Sequence, residues 1–305
     1  MAPYVLRRMA SSLMVVLVLS AVMFVLVNFA GDPVLMLLPP DAPQSQIEEL
    51  RSALGLDQPV YVRYFKFLAS ALRGDLGTSY HHGQPALKLV LDRLPASMEL
   101  LIGATLLSVV AAVPLGVACA INRGKAIDKV LLPLSLIGIS APGFWVAIML
   151  ILVFSLTLQW LPALGRGTLA HAVLPSISLA LYRLALGMRF VRSGMLDVLS
   201  QDYVRTARAK GLSEAVVTYK HALRNTLIPF VTIMGLQMGS ALAHAIVTER
   251  IFAWPGMGRL LLESIEKVDP PVIVAYTMVT GVIFVIINLV VDVTYGLLDP
   301  RIRYS

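Results

Sequence analysis

The sequence predicts an all-α, polytopic membrane protein with six transmembrane helices and a small external helical segment between helices 1 and 2. Of its 305 residues, 57% are hydrophobic and 14% are charged, and the mean hydropathy is +0.79. A soluble domain carries about 25% charged residues, so this chain has too few charges to cover a water-facing surface. Charge-free runs of span length recur along it, and Lys and Arg concentrate in alternate loops. We expect a single domain over residues 1–305.

The first span is predicted at residues 9–30. This run has no charged residue over 22 positions, and at about 1.5 Å per residue its length is roughly 33 Å. That length suffices for a hydrocarbon core of about 30 Å. Arg7 and Arg8 precede the run, but no small-x-small cleavage site ends it. We therefore expect an uncleaved helix rather than a signal peptide.

Further apolar runs predict five more spans. One of them contains Arg183, which we expect to snorkel toward the cytoplasmic interface. Another contains Pro142, which we expect to kink its helix. The five predicted spans are residues 100–122, 130–161, 168–188, 226–248 and 271–291.

The orientation follows from the basic residues, because short cytoplasmic loops carry an excess of Lys and Arg. With the N-terminus inside, the short outer loops hold Arg166, Arg250, Arg259 and Lys267. The inner segments hold many more: Arg7, Arg8, Arg123, Lys125, Lys129, Arg189, Arg192, Arg205, Arg208, Lys210, Lys220, Arg224, Arg301 and Arg303. Both termini are therefore predicted to be cytoplasmic.

The long segment at residues 31–99 is predicted to be external and helical. Ser45 and Glu48 have the spacing of a capping box, and residues 60–72 form a second amphipathic stretch. Turns that contain Gly and Pro separate these stretches. We expect a small helical cap outside the membrane.

Several classes of function are excluded by what the sequence lacks. The single cysteine, Cys119, excludes a disulfide framework and a multi-Cys zinc site. His81 and His82 are adjacent in a polar loop, where solvated imidazoles are commoner than metal ligands, so we expect no metal site. No phosphate loop occurs, so we expect no ATP site on this chain. The net charge of +7 is spread between apolar spans and predicts no nucleic-acid partner.

The loop at residues 197–225, between the fourth and fifth spans, is patterned too regularly to be a simple connector. It contains a basic helix, a stop at Gly211 and a second helix. A short helix that two spans hold beneath the membrane suits docking into a groove on a cytoplasmic partner. The alternative is an interfacial helix held by anionic lipid.

The phrase DYVRTARAKGLSE in this loop closely resembles the EAA-type loop of permease subunits of ATP-binding-cassette (ABC) importers, in the peptide/oligopeptide/nickel (dipeptide permease B-type) family. The resemblance extends over nearly the whole chain. It implies that the loop helix docks on an ATPase subunit and that Ala207 and Gly211 lie at the contact. The implied coupling residues are Asp202, Tyr203, Arg205, Thr206, Ala207, Arg208, Ala209, Lys210, Gly211, Leu212 and Ser213.

Two further segments, residues 249–258 and residues 288–303, resemble the same branch. In the first, the resemblance places Phe252, Trp254, Pro255 and Gly256 near a binding-protein docking surface or an outer gate. The alternative for Trp254 is an aromatic anchor at the membrane interface. The early Gly31-Asp32-Pro33 resembles the longer of the two paired permeases of the family, which implies a heterodimer.

The implied function is a binding-protein-dependent importer subunit that forms half of a translocation pathway for peptides, either di-/oligopeptides or a glutathione-like solute. The resemblance implies a paralogous permease, two cytoplasmic ATP-binding-cassette subunits and an extracytoplasmic solute-binding protein as partners. ATP and Mg would bind the partner subunits, with no cofactor on this chain. The implied location is the bacterial inner membrane. Nickel, opines or haem are alternative solutes of the same family.

The fifth predicted span carries a polar face that is a candidate translocation path. Gln237, Ser240, His244 and Thr248 share one helical face at spacings of three, four and four. Polar groups within a span are costly and mark functional faces. The alternative is interhelical hydrogen bonding, with Gly235 and Gly239 permitting close packing.

A proton-driven secondary transporter is the rival function class, in which His244 and Asp292 would titrate. That class predicts inverted repeats and buried mid-span carboxylates, and neither is evident in the sequence. A membrane enzyme would need a convergent acid, base and nucleophile, and no such set can be placed.

Overall fold

The computed structural model describes residues 2–29, 43–53 and 56–298. These residues form eleven α-helices and two π-helical segments, and no β-strand is found among them. The predicted all-α membrane fold is confirmed. The helices are α1 (Ala2–Phe29), α2 (Gln44–Ala53), α3 (Val60–Leu72), α4 (Ala86–Ile121), α5 (Ala126–Ser140), α6 (Gly143–Leu150), α7 (Leu169–Leu199), α8 (Asp202–Ala209), α9 (Leu223–Ile251), α10 (Met257–Glu266) and α11 (Pro270–Leu298), and the π segments are π1 (Ile151–Thr157) and π2 (Val216–Ala222).

Helices occupy all six predicted span positions, but they are not six equivalent spans. Within the described ranges, four helices are long and apolar enough to cross a membrane: Ala86–Ile121, Leu169–Leu199, Val216–Ile251 and Pro270–Asp292. A bent pair, Ala126–Ser140 with Gly143–Thr157, makes a fifth if it counts as one span. The described apolar part of α1, Ala10–Leu26, is shorter than these.

The third predicted span is broken rather than kinked. α5 ends at Ser140 and α6 begins at Gly143, with a bend of 108° between the two halves. Ala141 has ψ 127° and Pro142 has ψ 131°, which are extended values. The cause is local, because proline disfavours helical backbone at the preceding residue and lacks an N–H for the ladder. At Pro142, where a kink was predicted, the helix is interrupted, and the span predicted at 130–161 contains two helices.

Two other spans belong to helices longer than predicted. α4 begins at Ala86 rather than at residue 100, and α7 continues to Leu199 rather than ending at residue 188. Charge-free runs mark only the apolar part of a helix, whereas backbone hydrogen bonding continues through its polar ends. The predicted start of the fourth span is close, because Thr168 and His171 form a capping box at the start of α7.

The described parts of the segment between the first two predicted spans are largely helical, as predicted, but the details differ. Ser45 lies inside α2, which begins at Gln44, so the predicted capping box is wrong. The carbonyl oxygen of Pro43 instead accepts hydrogen bonds from the N–H groups of Gln46 and Ile47 at 3.0 and 3.2 Å. α3 covers the predicted range of 60–72. Gly31-Asp32-Pro33, on which the resemblance to the longer paired permease rests, lies outside the described residues, as do residues 299–303.

α3 packs beside the middle of the first predicted span rather than forming a separate cap. Phe24 of α1 meets the rings of Tyr64 and Phe67 with centroids 5.4 and 5.9 Å apart. The hydroxyls of Ser20 and Tyr64 lie 3.0 Å apart, within hydrogen-bond distance. Tyr64 and Phe67 need an apolar partner, and Phe24 supplies it. The contact between α3 and α1 was not predicted, because it joins two segments that are far apart in the sequence.

The chain divides into two compact units. Unit 1 comprises Met1–Leu94 and Leu260–Ile286, and unit 2 comprises Pro95–Arg259 and Ile287–Ser305. The core of unit 2 packs α4 and α9 against α7, around Met188, Val191 and Phe230. The prediction of one domain over 1–305 stays a prediction.

Candidate functional site

The predicted coupling loop contains α8 and a glycine stop. α8 ends in a Schellman motif, in which the N–H of Leu212 donates to the Ala207 carbonyl at 3.3 Å and that of Gly211 donates to Arg208 at 2.9 Å. Gly211 has φ +77°, a conformation that side chains other than glycine rarely adopt, and a Cβ placed there would meet no atom within 4 Å. The loop therefore needs glycine for its backbone conformation and not for space within this chain.

α8 is held by a small apolar cluster of its own. Val204 and Ala207 are buried against Val217 of π2, with Val198 and Leu199 of α7 beside them. Ala207 is only 7% exposed. The methyl group of Ala207 therefore packs inside the chain, and its implied place at a partner contact stays a prediction. The other ten implied coupling residues are exposed: Asp202, Tyr203, Arg205, Thr206, Arg208, Ala209, Lys210, Gly211, Leu212 and Ser213.

Polar contacts fix the exposed face of this loop. Arg208 donates from Nε and Nη2 to the two carboxylate oxygens of Glu214 at 2.8 and 3.2 Å. The hydrogen bond from Arg208 holds the pKa of Glu214 below its usual value. The side-chain amide of Asn225 donates to the hydroxyl of Tyr203 at 2.6 Å. The loop therefore presents a basic, ordered surface.

A buried ion pair joins the start of α5 to α7. Asp128 is buried and accepts hydrogen bonds from Nε and Nη2 of Arg192 at 2.7 and 2.9 Å. The N–H of Gly124 donates to the same carboxylate at 2.9 Å. In the sequence, Arg192 was notable only as one of the basic residues of the inner segments, and Asp128 was not predicted as its partner. The two residues are 64 positions apart, so no local pattern reveals their contact.

The turn that follows α9 is built around a buried carboxylate. Glu249 is 1% exposed. It accepts hydrogen bonds from the hydroxyl of Ser97 at 2.6 Å and from the N–H of Arg259 at 3.0 Å. The N–H of Gly258 is a further backbone donor to it. Gly258 and Arg259 lie in the first turn of α10, so the side chain of Glu249, which belongs to α9, caps the N-terminus of α10.

The aromatic residues of this turn are buried in unit 2. Trp254 is fully buried and donates its indole N–H to the carbonyl of Ala96 at 2.8 Å. Arg166 lies over its ring at 5.8 Å and pairs with Glu99 at 2.8 Å. The alternative of an interfacial aromatic anchor was wrong, because the ring is enclosed by protein.

Phe252 is also buried, Gly256 packs on Glu249, and Pro255 is partly exposed. These residues and Trp254 therefore shape the turn, and Pro255 is the one whose surface is partly accessible. Their roles in docking a binding protein or in an outer gate stay predictions.

All four residues of the predicted polar face line one cavity in unit 2. The cavity has a volume of about 520 Å³. Gln237, Ser240, His244 and Thr248 line it from α9, and α7 and the broken α5–α6 segment form the other walls. Across the described chain, the hydrogen bonds of these four side chains stay within α9. Interhelical hydrogen bonding by this face is therefore not seen, although Gly235 does pack closely against Val291.

Arg183 lines the same cavity and does not snorkel. It is only 4% exposed, whereas a snorkelling arginine places its guanidinium in water. Its Nη1 donates to the hydroxyl of Thr105 at 3.4 Å. Thr105 belongs to α4, a neighbouring helix that the sequence of α7 alone does not reveal.

The His81–His82 loop is structural in unit 1. Nε2 of His81 lies 2.6 Å from the carbonyl oxygen of Lys267, and Nδ1 of His82 lies 3.2 Å from the hydroxyl of Ser79. Ser79 also donates to the buried Asp269 at 2.5 Å. Burial and then the Asp269 charge raise the pKa of Tyr80 in this loop. Of the side chains that are described, no three His, Cys, Asp or Glu residues are grouped as metal ligands.

The model of the family described as the inner membrane component of binding-protein-dependent transport systems matches residues 112–304. The chain belongs to this family. A model of the N-terminal part of such membrane components matches residues 1–101 of the permease. The glutathione transport system permease protein GsiC of Salmonella choleraesuis (strain SC-B67) and that of Escherichia coli (strain K12) are each 40% identical to it, over 100% of both chains.

The permease fold also matches a solved structure. A chain of the MetNI methionine ABC transporter, in an inward-facing conformation, superposes with a TM-score of 0.57 at 17% identity. The match covers 70% of the permease and 98% of that chain. The protein is thus a multi-pass permease subunit of an ABC importer of the peptide type.

Breaking the Asp128–Arg192 pair is expected to destabilise the permease. Asp128→Ala or Arg192→Ala leaves a poorly solvated charge without its partner, which costs about 3–5 kcal/mol for a buried pair. The side chain of Arg192 is partly solvated, whereas that of Asp128 is buried, so Asp128→Ala is expected at the lower end of this range and Arg192→Ala at the upper end. Thermal unfolding in detergent measures the effect, with the exposed Lys129→Ala as the control. The double variant is expected to lose less than the sum of the singles, because the remaining charge is gone. Additive losses would contradict a coupled pair.

Proposed function

We propose that this permease forms half of a translocation pathway for peptides of di- to oligopeptide or glutathione-like size. The observation that carries the proposal is the 40% identity, over the full length of both chains, with permeases named for glutathione transport. The cavity of about 520 Å³ in unit 2 supports it, because pockets for small molecules measure about 300–1,000 Å³. Nickel, opines and haem are the alternative solutes.

We further propose that ATP and Mg bind partner subunits and that this chain has no ATPase site of its own. The exposed face of α8 would dock on a cytoplasmic ATP-binding-cassette subunit. The complete importer would contain two such subunits, a paralogous permease and an extracytoplasmic binding protein. This arrangement places both termini and the α8 loop in the cytoplasm. ATP binding then closes the ATPase subunits and shifts the permease pair between two access states.

The experiment is uptake by the complete importer in proteoliposomes. The chain, its paralogous permease, the ATPase subunits and the binding protein are expected to take up radiolabelled glutathione or a tripeptide in an ATP-dependent manner. The purified chain alone is expected to hydrolyse no ATP. Uptake of nickel, an opine or haem in place of these peptides would replace the proposed solute. Peptide uptake driven by a proton gradient without the ATPase subunits would instead support a secondary transporter.

A further inference from the structure

The cavity in unit 2 contains a buried cation with unused hydrogen-bond donors. Among the described residues that line it, Arg183 is the one with a permanent charge, and no carboxylate lines it. Nη1 of Arg183 makes one long hydrogen bond, at 3.4 Å, to Thr105. Nη2 is buried and has no hydrogen-bond partner in the described part of the chain.

A guanidinium in this state is incomplete. Arginine offers five N–H donors in a planar fork and stays charged in proteins. A buried charge without a partner is costly, so buried arginines in spans normally meet an anion or a carbonyl group. The group that fits the fork best is a carboxylate, which accepts two parallel hydrogen bonds.

The break in the third span adds a second feature that favours an anion at this cavity. α6 begins at Gly143 because Pro142 interrupts the helix, and both Gly143 and Phe144 line the cavity. The first turn of a helix has N–H groups without helical partners and carries the positive end of the dipole. Arg183 and the start of α6 therefore give one cavity two positive features.

We propose that Arg183 binds a carboxylate of the transported solute inside this cavity. The solute class is then a compound with a free carboxylate, such as the terminal carboxylate of a peptide, rather than a compound without an anionic group. Tyr182 and Ser240 also line the cavity and carry hydroxyl groups, so they are candidate contacts for the rest of the solute. The inference rests on the proposed function and names the chemical group by which the proposed translocation pathway recognises its solute.

The test measures solute preference in the complete importer rather than uptake alone. The probes are radiolabelled glutathione and its two monoamides, each lacking one of the two carboxylates, with loading of the binding protein checked for each probe. The wild-type importer is expected to prefer glutathione over at least one monoamide. Arg183→Gln is expected to lower that preference by about tenfold, equivalent to about 1.4 kcal/mol. The contribution of the binding protein cancels, because it is common to both importers.

Two further variants keep the result interpretable. Arg183→Lys retains the charge without the planar fork and is expected to give an intermediate preference, which also serves if the Gln variant does not assemble. Arg189→Gln removes an exposed arginine from the same helix and is expected to leave the preference unchanged. An equal loss of uptake for all three probes, or an unchanged preference, in the Arg183 variants would overturn the inference. No glutathione uptake by the wild type would instead overturn the proposed function.

Discussion

Glu249→Ala is expected to give the largest loss of stability of any single change in the turn that follows α9. The substitution leaves the hydroxyl of Ser97 and the N–H groups of Gly258 and Arg259 without their buried acceptor. Each buried donor left unsatisfied costs about 1–3 kcal/mol, so the total is on the order of several kcal/mol. The measurement is thermal unfolding in detergent, followed by fluorescence-detected size exclusion.

Two comparisons separate this cap from a general effect of losing a charge. Glu249→Gln keeps one acceptor oxygen and is expected to lie between the wild type and Glu249→Ala. The exposed Glu48→Ala, which removes a carboxylate from α2, is expected to change the melting temperature little. If Glu249→Ala unfolds at the wild-type temperature, the carboxylate does not organise this turn.

Gly256 provides a second check on the same contact. A Cβ at this position would overlap the carboxylate of Glu249, so Gly256→Ala alone is expected to be destabilising. In the Glu249→Ala background the overlap is absent, and the added cost of Gly256→Ala is expected to be small. Neighbouring residues that share a contact show this lack of additivity. If Gly256→Ala lowers stability equally in the wild type and in Glu249→Ala, the strain does not come from overlap with the Glu249 carboxylate.

Gly211→Glu is expected to abolish solute uptake while the permease still folds and enters the membrane. A side chain at φ +77° costs about 1–2 kcal/mol of backbone strain. No atom of the chain lies within 4 Å of the new Cβ, so the side chain extends from the exposed surface beside α8. Under the proposed function, that surface meets an ATPase subunit, and a bulky anionic group there disrupts the contact.

Gly83→Glu is the matched control for this experiment. Gly83 also has a positive φ, +62°, and open space around its Cβ position, but it lies in a loop of unit 1. The Gly83→Glu permease is expected to have backbone strain similar to that of Gly211→Glu, but near-normal solute uptake and full retention of the ATPase subunits. Wild-type uptake by Gly211→Glu, or an equal loss in Gly83→Glu, would contradict a coupling role for the α8 loop.

Local patterns were sufficient for the features that depend on neighbouring residues. The glycine stop at Gly211 follows from backbone geometry that the surrounding residues cannot adopt, and the structure has the expected positive φ there. The shared face of Gln237, Ser240, His244 and Thr248 follows from helical periodicity, and all four line one cavity. The start of the fourth span at Thr168 follows from the end of the polar loop before it.

Features that depend on two distant segments were missed or misread. The sequence allowed Trp254 to be an anchor at the membrane interface, because its ring is amphipathic. Only its contact with Ala96 in the structure shows that the ring is enclosed by protein. The packing of Ala207 against Val217 of π2 was not predicted, because it joins two separate segments of the loop. Pro142 signalled a bend, but the size of that bend, 108°, is seen only in the structure.

The sequence by itself determined the all-α membrane class, the helical positions and the permease family, because composition, periodicity and a specific loop phrase are properties of contiguous residues. Only the tertiary structure decided which polar groups meet: Arg192 with Asp128, Ser97 with Glu249, and Arg183 with the cavity. The physical reason is that burial and hydrogen bonding depend on what lies across the interface between helices. A run of apolar residues specifies that a helix forms, but the same run fits many neighbours.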